Sequence, residues 1–135
     1  MGIRLSHIPL RLTTGAFILN SGLGKRGLDK DSAAGIQGMA STAFPQVTQL
    51  EPEKFGKIIS MVEIGLGAAL LTPFVPSRLA GLALTAFSSG MMAMYFKMPG
   101  MTEEDGVRPT QDGTAIAKDI WMLGIGLGLL LDRKN

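Results

Sequence analysis

Two long apolar stretches that follow one another directly constrain this fold most. They cover residues 58–75 and 79–96, and Glu63 is the one charged residue in either of them. An α-helix that rises 1.5 Å per residue needs about 20 residues to cross a hydrocarbon core about 30 Å thick. We therefore expect an integral membrane protein.

The composition agrees with this expectation and excludes several functions. Of the 135 residues, 46% are hydrophobic and 18% are charged, and the formal net charge is +2. So small and scattered a positive charge does not indicate a nucleic-acid interface. The chain has no cysteine, and His7 is its one histidine. The sequence thus predicts no disulfide, no zinc-thiolate or His-rich metal site, and no cofactor held by this chain itself.

The order of apolar and breaking residues predicts an all-α fold, a bundle of four transmembrane helices in a single membrane domain, residues 1–135. The second helix is expected to begin at Pro52, a favoured first helical position. Pro73 and Pro76 would then break the chain before an antiparallel return. The predicted spans are 8–23, 52–75, 79–97 and 115–131. Four spans would place both chain ends and the turn at residues 76–78 on one side of the bilayer.

The first long connection, residues 32–50, contains no charged residue but is too polar to span a membrane. One helical face before Pro45 would carry Ile36, Met39, Ala40, Ala43 and Phe44. This pattern predicts a short interfacial helix that lies in the membrane surface or over the mouth of the bundle. A flexible, exposed loop is the alternative.

Glu63 is the leading site candidate, because a carboxylate inside an apolar span is costly and is usually retained for a partner or a function. Helix direction places polar residues from all four helices in the same half of the bundle. They form a predicted buried polar cluster of Asn20, Lys25, Glu63, Lys97, Lys118 and Asp119. We expect the Asn20 amide or a lysine to bind the Glu63 carboxylate. The alternative is a purely structural role, in which Glu63 locks two helices together.

The glycines and methionines have simpler interpretations, in terms of packing. Gly65, Gly67, Gly124 and Gly128 are predicted to let helices approach closely, with subunit association as a second interpretation of the Gly124–Gly128 step. Five methionines would lie toward the half of the bundle that holds Glu63, where they could line a pliable apolar pocket. They are Met61, Met91, Met92, Met94 and Met122. A copper path is less favoured, because cysteine is absent and the one histidine is distant.

Three segments together carry a family resemblance. The first runs from Arg11-Leu12 through Gly15 and Phe17 to Gly22 and Lys25; the second from Glu63-Ile64-Gly65-Leu66-Gly67 to Pro76-Ser77-Arg78-Leu79-Ala80; the third is Lys118-Asp119-Ile120. Over nearly its whole length the chain resembles the DoxX family of small bacterial membrane proteins.

The resemblance implies a four-helix bundle in the bacterial inner membrane with cytoplasmic termini. It also implies an accessory role in membrane assemblies, since some members accompany thiosulfate:quinone oxidoreductase activity. The family-like polar residues here would be Arg11, Lys25, Glu63, Arg78, Lys118 and Asp119. A count of basic residues alone favours the opposite orientation, with the long loops inside. We adopt the orientation that the resemblance implies.

The function predicted first is that of an accessory or scaffold subunit of a larger membrane complex, because the chain has no self-sufficient catalytic set. The second is a membrane subunit of a quinone-linked oxidoreductase, with a quinone or lipid pocket near Glu63. The third is a small oligomeric carrier of protons or small molecules. The expected partners are membrane lipids and other membrane-protein subunits or further copies of the chain, and not nucleic acid.

Overall fold

The computed structural model describes residues 4–111 and 113–132, which fold mainly into helices. The all-α prediction is confirmed. The helices are α1 (His7–Gly24), α2 (Lys30–Ser41), α3 (Pro52–Leu71), α4 (Ser77–Lys97), α5 (Thr114–Ala117) and α6 (Ile120–Leu131). A 3-10 turn, Pro45–Gln49, separates α2 from α3. Residues 1–3, 112 and 133–135 of the predicted domain lie outside the described residues.

Two of the predicted helix boundaries are wrong. The second long helix ends at Leu71 rather than residue 75, because Thr72 precedes Pro73 and is held in the extended conformation that a following proline favours. The last helix is interrupted rather than continuous from residue 115. At the break, the Asp119 amide donates to the Ile116 carbonyl at 2.9 Å, a three-residue spacing tighter than that of an α-helix.

The long helices pack as two close pairs, α1 with α3 and α4 with α6. Glycines let the backbones touch in each pair. A Cβ atom added to Gly67 would lie 2.6 Å from the Leu19 amide nitrogen, and one added to Gly81 would lie 2.7 Å from that of Leu130. Any larger residue at these positions would force the helices apart, so the prediction that Gly67 packs is confirmed.

The other three predicted packing glycines face open space. A Cβ atom on Gly65, Gly124 or Gly128 would meet nothing within 4 Å. The packing glycine of α6 is Gly126, where a Cβ atom would lie 2.8 Å from the Thr85 amide nitrogen. Residues two positions apart on a helix point in widely different directions, so α6 cannot present Gly126 and its neighbours at 124 and 128 to α4 together. The prediction that these three glycines pack is therefore wrong within this chain.

Both described ends of the chain meet the α3–α4 turn at one end of the bundle. The Nδ1 atom of His7 lies 3.0 Å from the Ser77 hydroxyl, and its Nε2 atom lies 2.7 Å from the Asp132 carboxylate. Arg4 also donates to Asp132, at 2.7 Å. We call this the terminal end, and the opposite end, which carries α2 and residues 98–113, the loop end. This arrangement agrees with four antiparallel helices.

The first long connection forms a helix that lies along the start of α3. Ala33 of α2 is fully buried there, and a Cβ atom on Gly56 of α3 would lie 3.2 Å from its side chain. Gln37 is also buried, and its side-chain amide donates to two carbonyl oxygens beyond the helix, at 2.7 and 2.9 Å. The predicted short helix is thus confirmed for residues 30–41. The predicted apolar face is confirmed in part: Ala40 is buried, Ile36 and Ala43 pack in the same apolar cluster, and Met39 and Phe44 are exposed.

The second long connection folds back over the loop end. The Tyr95 hydroxyl donates to the Val107 carbonyl at 2.8 Å and ties this loop to α4. Within the loop, Asp105 accepts hydrogen bonds from the Arg108 side chain and from backbone amides. These bonds stabilise the ionised carboxylate and lower the pKa of Asp105 from 3.8 to about 2. This loop, which carries Glu103, Glu104 and Asp105, therefore caps the loop end.

One helix, α4, is long and apolar enough to cross a membrane, with a mean hydropathy of 1.4 over its best window, among the residues that the structure describes. The α6 helix is apolar but has only 12 residues. Charges near the start of α3, together with Glu63, give that helix a mixed character. The helices thus supply one candidate span, and the four-span arrangement is taken up below as a proposal.

Arg11 holds the α3–α4 junction together. Its side chain is 2% exposed, and its five N–H groups donate at 2.8–2.9 Å to the carbonyl oxygens of Ala69, Leu70, Thr72 and Val75 and to the Ser77 hydroxyl. The last carbonyls of a helix have no partner within it, and Pro73 and Pro76 prevent the following residues from continuing the helix. Arg11 satisfies these carbonyls from a neighbouring helix.

We expect Arg11→Lys to lower the free energy of unfolding by about 3 kcal/mol, because an ammonium has three donors and cannot reach five acceptors arranged around a planar guanidinium. Thermal unfolding followed by circular dichroism in detergent measures the effect. Arg26→Lys, an exposed position just beyond α1, is the matched control. Equal unfolding temperatures for the two variants would contradict this account of Arg11.

Candidate functional site

A cleft between α1 and α6 separates the two helix pairs on one side of the bundle. Only a few contacts join α1 to α6 there. The cleft contains an inner chamber of about 150 Å³ and an outer chamber of about 320 Å³. The two chambers share Phe17, Asp119 and Met122 as walls. We call the whole feature the α1–α6 cleft.

An ion pair between α1 and α3 lines the inner chamber. The Lys25 ammonium donates to Glu63 Oε1 at 2.8 Å and to the Ser21 hydroxyl at 2.6 Å, and this hydroxyl lies 3.1 Å from the same carboxylate oxygen. The side chains of Lys25 and Glu63 are 24% and 9% exposed. A carboxylate this deeply buried needs such a partner, because burial without one would cost several kcal/mol.

Helical periodicity explains why Glu63 faces α1. Gly56, Ser60, Glu63, Gly67 and Leu70 recur every three or four residues along α3, and all are buried. Close by, the Ser60 hydroxyl donates to the Gly22 carbonyl of α1 at 2.7 Å. The glycines bring the two backbones together, and the polar residues between them meet as a result.

Acceptor atoms in the inner chamber remain free. The Oε2 atom of Glu63 accepts no hydrogen bond from the described residues. The Asp119 carboxyl group, which also lines this chamber, has neither a hydrogen bond nor an ion pair with that part of the chain. The remaining walls are largely apolar and include Phe87, Met91 and Met122. The chamber therefore presents unused acceptors beside apolar side chains.

The structure brings together three of the six residues predicted for the buried polar cluster: Lys25, Glu63 and Asp119. It does not bury the other three, because Asn20, Lys97 and Lys118 are exposed. Lys118 lines the outer chamber, and Lys97 ends α4. The prediction that all six form a buried cluster is wrong for these three.

Of the two partners predicted for Glu63, a lysine or the Asn20 amide, the structure shows a lysine, Lys25. The face of α1 that meets α3 follows Ile18, Gly22 and Lys25. Asn20 lies two residues from both Ile18 and Gly22 and therefore points away from α3. Ser21 supplies the hydroxyl instead. Its position four residues before Lys25, on the same helix face, was the signal in the sequence that could have identified it.

The predicted methionine pocket exists in part. Met91 and Met122 line the inner chamber, whereas Met61 is 71% exposed on α3. Met92 and Met94 are buried in two separate apolar clusters near the loop end. Two of the five predicted residues thus meet at the cleft, because neighbouring methionines of one helix point to different sides of it.

A second polar cluster, at the terminal end, was not predicted as a site. His7 lies between the Ser77 hydroxyl and the Asp132 carboxylate, a combination that serves nucleophilic catalysis in many hydrolases. Here Ser77 is 0% exposed, and its hydroxyl accepts a hydrogen bond from Arg11 at 2.9 Å. A substrate cannot reach this oxygen, so we interpret the cluster as a structural hydrogen-bond network that joins α1, α4 and the end of α6.

In the described part of the chain, no three His, Asp or Glu side chains lie close enough together to hold a metal ion. Comparison of the chain with protein-family models, with curated proteins and with solved structures finds no match. The DoxX resemblance, and what it implies, therefore stays a prediction.

We expect Lys25→Met to lower the free energy of unfolding by about 3 kcal/mol, because it leaves the Glu63 carboxylate buried without its partner. The double variant Lys25→Met/Glu63→Leu should recover most of this loss, since it removes the charge as well as the partner. Thermal unfolding of both variants measures the coupling. Lys97→Met, at an exposed lysine, should change stability by less than about 0.5 kcal/mol. A Lys25→Met protein as stable as this control would disprove the pairing.

Proposed function

We propose that this chain is a DoxX-like integral membrane protein that crosses the bilayer with α1, α3, α4 and the α5–α6 unit, and that it acts as an accessory or scaffold subunit of a larger membrane complex. The observation that supports a membrane location best is the outer surface. Among the described residues, 20 large hydrophobic side chains are exposed, including Phe17 at 66%, Met61 at 71%, Leu82 at 52% and Trp121 at 70%.

The distribution of this apolar surface is the reason for the proposal. The four residues just given belong to α1, α3, α4 and α6, so the exposed apolar side chains are not confined to one helix. Soluble monomers rarely expose extensive apolar surface, whereas lipid tails solvate it without cost.

The charges inside the bundle support the same proposal. Arg11 uses every donor it has, and Glu63 is bound by Lys25. Polar groups within a bilayer must be satisfied internally, because the hydrocarbon core offers no water. Arg11 meets this requirement with all five donors, and Glu63 meets it through one of its two oxygen atoms.

The open glycines of α6 support the accessory role. Gly124 and Gly128 lie on a helix face with nothing within 4 Å of an added Cβ atom, so a helix from another subunit could approach there closely. Among the described residues, the Ser77–His7–Asp132 cluster is closed to substrate, because Ser77 is 0% exposed. A membrane partner on this face of α6 is therefore the docking arrangement we propose.

The quinone-linked alternative has less support from the cleft. Quinone carbonyls accept hydrogen bonds, but the Ser21 hydroxyl and two of the three N–H groups of Lys25 are already engaged, which leaves a quinone one donor from these two side chains. The carrier alternative would use the same cleft and requires only that a ligand enter it.

We expect the protein to reside in the bacterial inner membrane with its termini and the α3–α4 turn in the cytoplasm. The chain contains no cysteine, so single cysteines report position without background. Phe74→Cys lies on the turn, where Phe74 is 90% exposed, and Glu104→Cys lies on the exposed loop at the other end. A membrane-impermeant maleimide applied to spheroplasts should label Glu104→Cys and spare Phe74→Cys until the cells are lysed.

The opposite labelling pattern would reverse the orientation, and release of the protein by alkaline carbonate without detergent would contradict the membrane location itself.

We expect Gly124→Leu/Gly128→Leu to fold with the stability of the parent protein but to lose its partner subunits. Gly126→Leu is the matched control, because its side chain would collide with the α4 backbone at Thr85 and cost about 2 kcal/mol or more of stability. Thermal unfolding and native mass spectrometry of the detergent-extracted complex should be measured on the same samples. Complexes that persist in the double-leucine variant would show that this face meets only lipid.

A further inference from the structure

We propose that the α1–α6 cleft binds a hydrophobic organic amine in its ammonium form. The ammonium would donate to Glu63 Oε2 and to the Asp119 carboxylate in the inner chamber, and the apolar body would occupy the outer chamber. This inference goes beyond the docking role and does not rest on it, because the amine would bind Glu63 and Asp119. Trp121, which lines the outer chamber, lies on the same face of α6 as Gly124 and Gly128.

The balance of charge in the inner chamber carries the first step. Glu63 and Asp119 contribute two carboxyl groups to its lining, and Lys25 contributes one ammonium. Lys25 is bound to Glu63 through Oε1, so the charge of Asp119 has no partner among the described residues. A chamber with two ionised acids and one base attracts a single positive charge.

Hydrogen-bonding capacity carries the second step. The Glu63 Oε2 atom accepts no hydrogen bond from the residues described. The one side-chain oxygen or nitrogen atom among them that is fully buried without a partner is Ser88 Oγ, so Glu63 Oε2 keeps accessible surface. Ionised carboxylates only accept, and the neighbouring donors of Ser21 and Lys25 are directed to Glu63 Oε1. A group that binds Glu63 Oε2 must therefore be a donor.

The outer chamber indicates that the rest of the ligand is apolar. It has a volume of about 320 Å³ and is lined mainly by apolar groups, among them Phe17, Trp121, Met122 and Ile125. Small-molecule sites typically combine such walls with a few polar groups that fix the orientation of the ligand. Lys118 also lines this chamber but is exposed, where solvent and salt weaken its repulsion of a cation. An amine with a compact apolar body fits both chambers.

Titration of the full-length protein in nanodiscs with 1-aminoadamantane, followed by calorimetry at neutral pH, tests the proposal. The neutral isostere 1-adamantanol is the ligand control, and empty nanodiscs correct for partitioning into lipid. We expect saturable binding of the amine that is at least about tenfold tighter than that of the alcohol, the effect of one charged interaction. Equal binding of the two, or no saturable binding of the amine, would overturn the proposal.

Two variants link binding to the inner chamber. Asp119→Asn and Glu63→Gln should each weaken binding of the amine about tenfold and leave binding of the alcohol unchanged, because they remove charge and preserve shape. Asp31→Asn and Glu53→Gln, at exposed acids elsewhere, should change neither affinity.

Asp119 takes no part in the Lys25–Glu63 pair, so Asp119→Asn should fold even if Glu63→Gln does not. Parental affinity of Asp119→Asn for the amine would overturn the proposal whatever happens at Glu63.

Discussion

Arg11 is the residue on which the arrangement of the other helices depends. It extends from α1 to the end of α3 and the start of α4, and it donates to four backbone carbonyls near the two prolines, of which that of Thr72 also accepts from the Val75 amide. Its remaining bond reaches Ser77, which in turn contacts His7, and His7 contacts Asp132 beyond α6. The terminal end is thus a continuous polar network. Because a guanidinium is rigid and planar, this network also determines how α1 approaches the α3–α4 turn.

Close approach within the helix pairs and separation between them have a common cause. Glycines at the α1–α3 and α4–α6 contacts allow backbones to touch, and the apolar core then forms from side chains such as Ile18, Leu70, Leu84 and Leu129. The glycine contacts lie within the pairs rather than between α1 and α6, so a cleft remains there, lined by larger residues. The Lys25–Glu63 pair belongs to the tight α1–α3 contact, while Asp119 comes from the other pair. The candidate site is therefore assembled across the gap between the two pairs.

Much of the fold could be predicted from local patterns, but little of the side-chain pairing could. The apolar runs, Pro52 and the Pro73–Pro76 turn predicted the long antiparallel helices, and an acid in an apolar run identified Glu63 as a buried group. The sequence could not show whether Asn20 or Ser21 would contact Glu63. Adjacent residues differ by about 100° around a helix, and only the rotation of α1 in the packed bundle decides which of them faces Glu63. For the same reason, the sequence could not show whether Gly124 or Gly126 would face α4.

The sequence by itself determined the helical class, the antiparallel order of the long helices and the identity of Glu63 as a costly charge, since these depend on composition and on periodicity along the chain. Only the tertiary structure decided which charges meet. It assigned Arg11 to the carbonyls of the α3–α4 turn, joined His7 to Asp132, and left Glu63 Oε2 and Asp119 facing one chamber with free acceptors. The physical reason is that these contacts join residues far apart in sequence, and their distances depend on how helices rotate and approach when the glycine contacts close.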